Sequence, residues 1–280
     1  MKKILTTLIL CSAALLPLSA QKNNTPVLEK LAENIPHYAN TSVGVMDVEK
    51  FDTRSFIFRE LLDFMDTDDI FKDLNLSAND VRAIASGKED QRHGDAQYAV
   101  ILLKKQDAKS LMEKLAARRG SRQMGTRVIF DEGEKFAEAI APDRIFFTEM
   151  DHALQNAPRT LELRRNMLAG TFPAEKDGLA VQFARNSKGI KMILTVKKIV
   201  GKIPCYELKA AFYGNDVQQI KGIIDRNIKN ELLDEGMADV AKRLLIQTDP
   251  ANKCVAVTAQ IAAWRNVEFK ALLETLEIDD

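Results

Sequence analysis

The sequence predicts an α+β protein built from two related, ferredoxin-like halves of the βαββαβ type, with antiparallel or mixed sheets and helices packed on one face. Three observations lead there. Residues 42–130 run through strand-like and helix-like periods in the order β-α-β-β-α-β. A later stretch repeats part of that plan: Tyr98 leads through a strand into Asp107, Leu111 and Leu115, and Tyr206 leads through a strand into Asp216, Ile220 and Ile224. Between them, Gly170 and Pro173 break the segment 169–176, which reads as an internal boundary. The expected organisation is a signal at 1–20, a short helix and linker at 21–41, a first half at 42–168 and a second at 177–280.

Taken in order, Val27 to Ile35 reads as a short helix ended by Pro36, whose ring and missing N–H stop helical pairing. Ser42 to Val48 follows as a strand. Phe58, Leu61, Leu62 and Met65 stand at i, i+3, i+4 and i+7, one apolar stripe of a helix. Five of the 13 phenylalanines fall between Phe51 and Phe71. Such a stripe packs on a sheet, the alternative being a surface for a partner or lipid. Ser77 to Gly87 admits two readings. Ser77 suits a helix cap, whereas Val81 to Ser86 suits a strand; the strand completes the recurrent order and is preferred. Tyr98 to Leu103 is a buried strand, and Asp107 opens a helix that Gly120 ends. Thr126 to Phe130, Lys135 to Ile140 and Asp143 to Thr148 are strands, followed by helical segments with Leu154 and Leu163.

In the second half, Leu179 to Phe183 is a strand, Ile190 to Val200 a helix and Tyr206 to Phe212 a strand. Asp216 opens an amphipathic helix with the stripe Val217, Ile220, Ile224, Ile228 and Leu232. Gly236 bends or ends it, and Val240, Leu244 and Leu245 continue its apolar face. The strand Val255 to Ile261 and a helix with Phe269, Leu272, Leu273 and Leu276 complete the chain.

The N-terminus has the order of a secretory signal: Met1-Lys2-Lys3, an apolar run from Ile4 to Leu16, then Pro17-Leu18-Ser19-Ala20 with cleavage expected after Ala20. The apolar run is too short for the roughly 20 residues of a membrane-crossing helix. A retained anchor and lipidation at Cys11 are the alternatives, and Leu10 before Cys11 argues against the second. Without Lys2 and Lys3 of its 40 basic residues, the mature chain has 38 against 40 acidic, close to neutrality, so nothing steers it toward nucleic acid or an anionic membrane. Export to the periplasm or exterior of a Gram-negative-type cell exposes Cys205 and Cys254 to oxidation. A disulfide between them needs their strands parallel and adjacent; otherwise they are buried thiols acting as small hydrophobes.

The element order, with Leu76-Ser77-Ala78-Asn79-Asp80-Val81, the Tyr98 strand, the Asp107 helix and Asp143-Arg144-Ile145-Phe146-Phe147-Thr148, resembles exported bacterial α+β proteins of unknown function. That resemblance implies fold and compartment, not activity.

Motifs for chemistry are sparse. His37, His93 and His152 form no H-x-x-x-H or H-E-x-x-H pair, and no serine lies in a G-x-S-x-G elbow. Asp66, Asp68, Asp69 and Asp73 make a dense acidic cluster, but an EF-hand loop from Asp66 would need glycine and glutamate where Phe71 and Ser77 stand. Arg118, Arg119, Arg122 and Arg127 form a candidate anion-binding set for a glycan sulfate or lipid phosphate, although basic residues also suit helix C-termini without binding anything. No catalytic residue, metal ligand or cofactor is assigned. The sequence therefore points to a non-enzymatic binding or structural protein of the bacterial envelope, its partner an envelope protein or surface ligand, with no nucleic acid and no transmembrane segment after signal removal. A hydrolase with a dispersed site and a carrier of an apolar ligand are the alternatives.

Overall fold

In the computed structural model the described residues are Leu31, 42–89, 96–150, 180–185, 190–199 and 203–276. The export signal, Cys11, the segment 169–176, the three histidines and the Leu154 and Leu163 segments lie outside them, as does all of the Val27 to Ile35 helix except Leu31, which is helical and buried.

Among the described residues the chain forms twelve strands: β1 (Ser42–Met46), β2 (Val81–Glu89), β3 (Ala96–Leu103), β4 (Arg122–Met124), β5 (Arg127–Phe130), β6 (Lys135–Ala141), β7 (Arg144–Met150), β8 (Ala180–Arg185), β9 (Lys191–Ile199), β10 (Cys205–Tyr213), β11 (Leu245–Asp249) and β12 (Cys254–Ala262). They form one sheet in the order β11-β12-β10-β9-β8-β1-β2-β3-β7-β6-β5-β4. Every neighbouring pair is antiparallel. Among the described residues, apart from Leu31, the α-helices are α1 (Phe56–Phe64), α2 (Asp68–Asp73), α3 (Ala108–Ala116), α4 (Val217–Asp234), α5 (Ala238–Arg243) and α6 (Asn266–Thr275).

The two-residue period of the strands divides the core between the sheet's faces. Met46, Ile84 and Ile101 join one cluster with Phe58 of α1, Leu115 of α3, Ile224 of α4 and Phe269 of α6. Their neighbours Val45, Ala85 and Val100 join Leu31, Phe136 and Phe146 in a second cluster. The phenylalanine-rich segment thus packs inward, with Phe51, Phe58 and Phe71 all buried.

The α+β class with antiparallel strands and helices stands, but the ferredoxin-like order does not. In a split βαβ unit the strands joined by the first helix run parallel with another strand between them. Here β1 and β2 are direct antiparallel neighbours, Val45 opposite Ala85. The cause lies in residues 47–80, where two short helices are separated and ended by Asp66 (φ 51°) and Asn75 (φ 52°). These left-handed residues end each helix with a Schellman-type bond, Thr67 N–H to Leu62 O and Leu76 N–H to Phe71 O, both 2.8 Å. The chain turns back beside β1 instead of crossing over.

From the central β1–β8 pair outward, one side runs β1-β2-β3-β7-β6 and the other β8-β9-β10-β12-β11. On each side a helix follows the third strand and the last strand of a final hairpin returns to that third strand, although α1 and α2 intervene between β1 and β2, β4 and β5 follow α3, and α5 follows α4. The tyrosines do not correspond, however. Tyr98 lies in the second cluster and Tyr206 in the first, on opposite faces. The one-residue difference in their spacing to Asp107 and Asp216 flips the side chain. Leu103 and Phe212, each four residues before its aspartate, both face the helices.

Three further differences are local. Ile190 to Val200 is not a helix: β9 occupies Lys191–Ile199, and Met192 to Val196 are all buried because both faces of that strand are covered. A run apolar on both faces loses the alternation that identifies a strand. Leu245 does not continue the α4 face; it starts the edge strand β11 and is 52% exposed. The short strand β4 is also absent from the sequence reading. At Ser77 the strand choice holds: Ser77 Oγ accepts the Asn79 N–H in a single 3-10 turn before β2 begins at Val81.

Candidate binding cleft

On each side of the β1–β8 pair, the hairpin turn before the last strand clasps the preceding strand–helix join. Asp143 O accepts from Leu103 N–H (2.8 Å) and Pro142 O from Ala108 N–H (3.0 Å). On the other side, Lys253 O accepts from Gly214 N–H (3.1 Å). A cleft opens at each of these two places. The first, about 600 Å³, lies between α3 and the β5–β6 region and presents Met112, Val128 and Ile140 beside Lys109 and Glu113, which pair with each other at 4.0 Å. The second, about 660 Å³, lies where β9 begins, β10 ends and β12 begins, under the first turns of α4. Both volumes fall in the range of small-molecule sites.

The second cleft is the more polar. Lys191 stands opposite Tyr213 on the adjacent strand, Tyr213 stands opposite Cys254 on the next, and Lys253 precedes Cys254. Lys191 and Lys253 are exposed and have no ion-pair partner among the described residues. The cleft's acid, Asp216, accepts the Gln219 N–H at Oδ1 (2.9 Å) and so caps α4. Asn252 is held in its turn by Asp249, N–H to Oδ1 at 3.1 Å and Nδ2 to Oδ2 at 2.7 Å. On the helix side, Ile220 is buried and Ile223 is 40% exposed. Gly214 leaves room for Ile220: a Cβ there would meet Ile220 Cδ1 at 2.6 Å. Burial pushes the Cys254 thiol up, against the pull of a hydrogen bond with Tyr213, a direction that disfavours the thiolate.

The residues singled out in the sequence scatter around this cleft rather than into it. Cys205 and Cys254 are both free thiols. Their strands are adjacent but antiparallel, Cys205 opposite Ala262 and Cys254 opposite Tyr213, at opposite ends of the pair. Eight residues at about 3.4 Å each separate them by about 27 Å, against about 4.4–6.8 Å for a disulfide. The intrachain bond considered for them is therefore corrected.

Two of the four arginines are engaged within the protein. Arg118 Nη1 donates to Asp73 O. Arg127 Nε donates to Glu138 Oε2 at 3.0 Å, and its guanidinium lies 5.2 Å from the Phe136 ring centre. Arg119 and Arg122 are exposed. The aspartates are likewise tied to lysines: Asp66 to Lys88 (2.9 Å), Asp68 and Asp69 to Lys72 (3.0 and 2.7 Å), Asp73 to Lys135 (3.0 Å). Among the described residues no cluster of three His, Cys, Asp or Glu is arranged to hold a metal ion, and no helix is long and apolar enough to cross a membrane.

Sequence reasoning missed Lys191, Tyr213 and Lys253 because three strand ends meet there. Reading Lys191 into a helix concealed its place beside Tyr213.

No family model and no curated protein matches this chain. The solved structure of TP0453 in crystal form I is similar over 88% of this chain and 98% of that chain, with a TM-score of 0.53 and 9% sequence identity. At that identity the likeness is one of fold.

Proposed function

We propose that this protein is an exported, non-enzymatic binding protein of the bacterial envelope, which holds its ligand in the cleft beneath the start of α4. The observation that carries this reading is the cleft itself, about 660 Å³, with two exposed lysines that have no ion-pair partner among the described residues and a partly exposed isoleucine. The raised Cys254 thiol beside it suits packing better than nucleophilic chemistry. Export is read from residues 1–20 of the sequence. The matching strand orders on either side of β1–β8, and a cleft at the corresponding place in each, support a duplicated half as the origin of the fold.

The test is native mass spectrometry of the protein incubated with envelope extract, comparing wild type with Gln219→Trp. Gln219 is exposed on the first turn of α4 and lines the cleft, so the indole fills it without disturbing the core. A bound small molecule seen with wild type and lost with the variant is expected. No bound species, or one that the variant retains, rejects the assignment.

A further inference from the structure

We infer that the ligand class of this cleft is a small organic molecule with two anionic groups separated by an apolar body. The inference rests on the cleft being the binding site and goes further by naming what fits it. Lys191 and Lys253 line the same cleft, both exposed and without an ion-pair partner among the described residues.

Their spacing follows from the sheet. Lys191 opposite Tyr213, and Tyr213 opposite Cys254, set Lys191 two strand spacings, about 10 Å, from Cys254, the residue that follows Lys253. One anionic group cannot pair directly with both unless both long side chains converge, whereas two groups several ångströms apart satisfy each lysine separately with a charge-assisted hydrogen bond. The one acid present, Asp216, is engaged at the α4 cap and does not neutralise the pair. On the helix side, the exposed part of Ile223 adds apolar surface to the cleft, which favours a hydrocarbon body over a bare inorganic ion.

Suberate, with a carboxylate at each end of a six-methylene chain, serves as the probe. Octanoate keeps one charge, and octane-1,8-diol keeps the length without charge. Isothermal titration of the full exported protein is expected to rank suberate about tenfold or more ahead of octanoate, with the diol weakest. Lys191→Gln and Lys253→Gln should each reduce suberate affinity about tenfold and leave octanoate closer to its wild-type value. Both positions are exposed, so unchanged melting temperatures show that the variants are folded. Equal binding of suberate and octanoate, or suberate affinity indifferent to both lysines, overturns the ligand class. Suberate binding that survives Gln219→Trp overturns the cleft as the site. A native ligand lost with Gln219→Trp, together with no suberate binding, leaves the cleft standing and rejects only the dianion.

Discussion

Phe51 and Tyr206 stack with their ring planes 4° apart and centres 6.4 Å apart, joining the loop after β1 to the start of β10. Phe58 extends the stack on one side at 6.0 Å, and Phe269 meets Tyr206 edge-on at 6.4 Å. Three segments distant in sequence thus share one aromatic contact. Tyr206→Ala is expected to cost about 3 kcal/mol in urea unfolding, and Tyr206→Phe under about 1.5 kcal/mol. Similar losses for both would mean that the hydroxyl, not the ring, holds the site.

Lys135 has three carboxylates around it: Asp73 at 3.0 Å, Asp131 at 3.1 Å and Glu149 at 3.6 Å. Burial lowers its pKa, but hydrogen bonds to Asp73 and Asp131 and the nearby negative charges outweigh that and hold it above the usual lysine range. Lys135→Met leaves the carboxylates facing one another, a loss expected at about 1–2 kcal/mol because they are partly solvated. Thermal melts at low and high salt check it, the deficit shrinking as salt screens the repulsion.

Burial raises the Glu149 carboxyl above its ordinary 4.5, with Lys135 pulling the other way. A raised carboxyl binds its proton more tightly in the folded state. Its contribution is present below the unfolded pKa and lost as pH rises through the folded one. Wild type should therefore lose stability relative to Glu149→Gln as pH climbs from about 4.3 toward neutrality. Chemical unfolding of both proteins across that range reads the difference. A gap that moves in wild type's favour with rising pH would show that Lys135, not burial, governs this group.

Gly214 and Gly222 should respond oppositely to alanine. At Gly214 the new methyl meets Ile220, which must swing away, for about 1–3 kcal/mol lost and a changed cleft. Gly222 faces open space within α4, so alanine should add about 0.5–1 kcal/mol through helix propensity. Urea midpoints of the two variants decide.

The free thiols carry a simple expectation. Intact mass should not change on reduction, and alkylation should label the half-buried Cys205 before the buried Cys254, whose pKa is raised. A mass gain of two hydrogens would contradict the strand register.

The local elements were legible in the sequence wherever one face of a segment meets water. The stripe Ile220, Ile224, Ile228 and Leu232 marked α4, Asp216 marked its cap, and Gly236, at φ 74°, marked its end. Val81 announced β2, and Leu103 and Phe212 kept their spacing to the helix-opening aspartates. Only the tertiary structure could place β9, because burial on both faces removes the period that distinguishes strand from helix. It alone could decide that β2 returns beside β1 rather than crossing over, since that depends on how two short helices reverse the chain. The same holds for the cleft. Lys191 and Tyr213 lie on neighbouring strands and Lys253 in the turn before a third, an adjacency set by pairing register, and the same register separates Cys205 from Cys254.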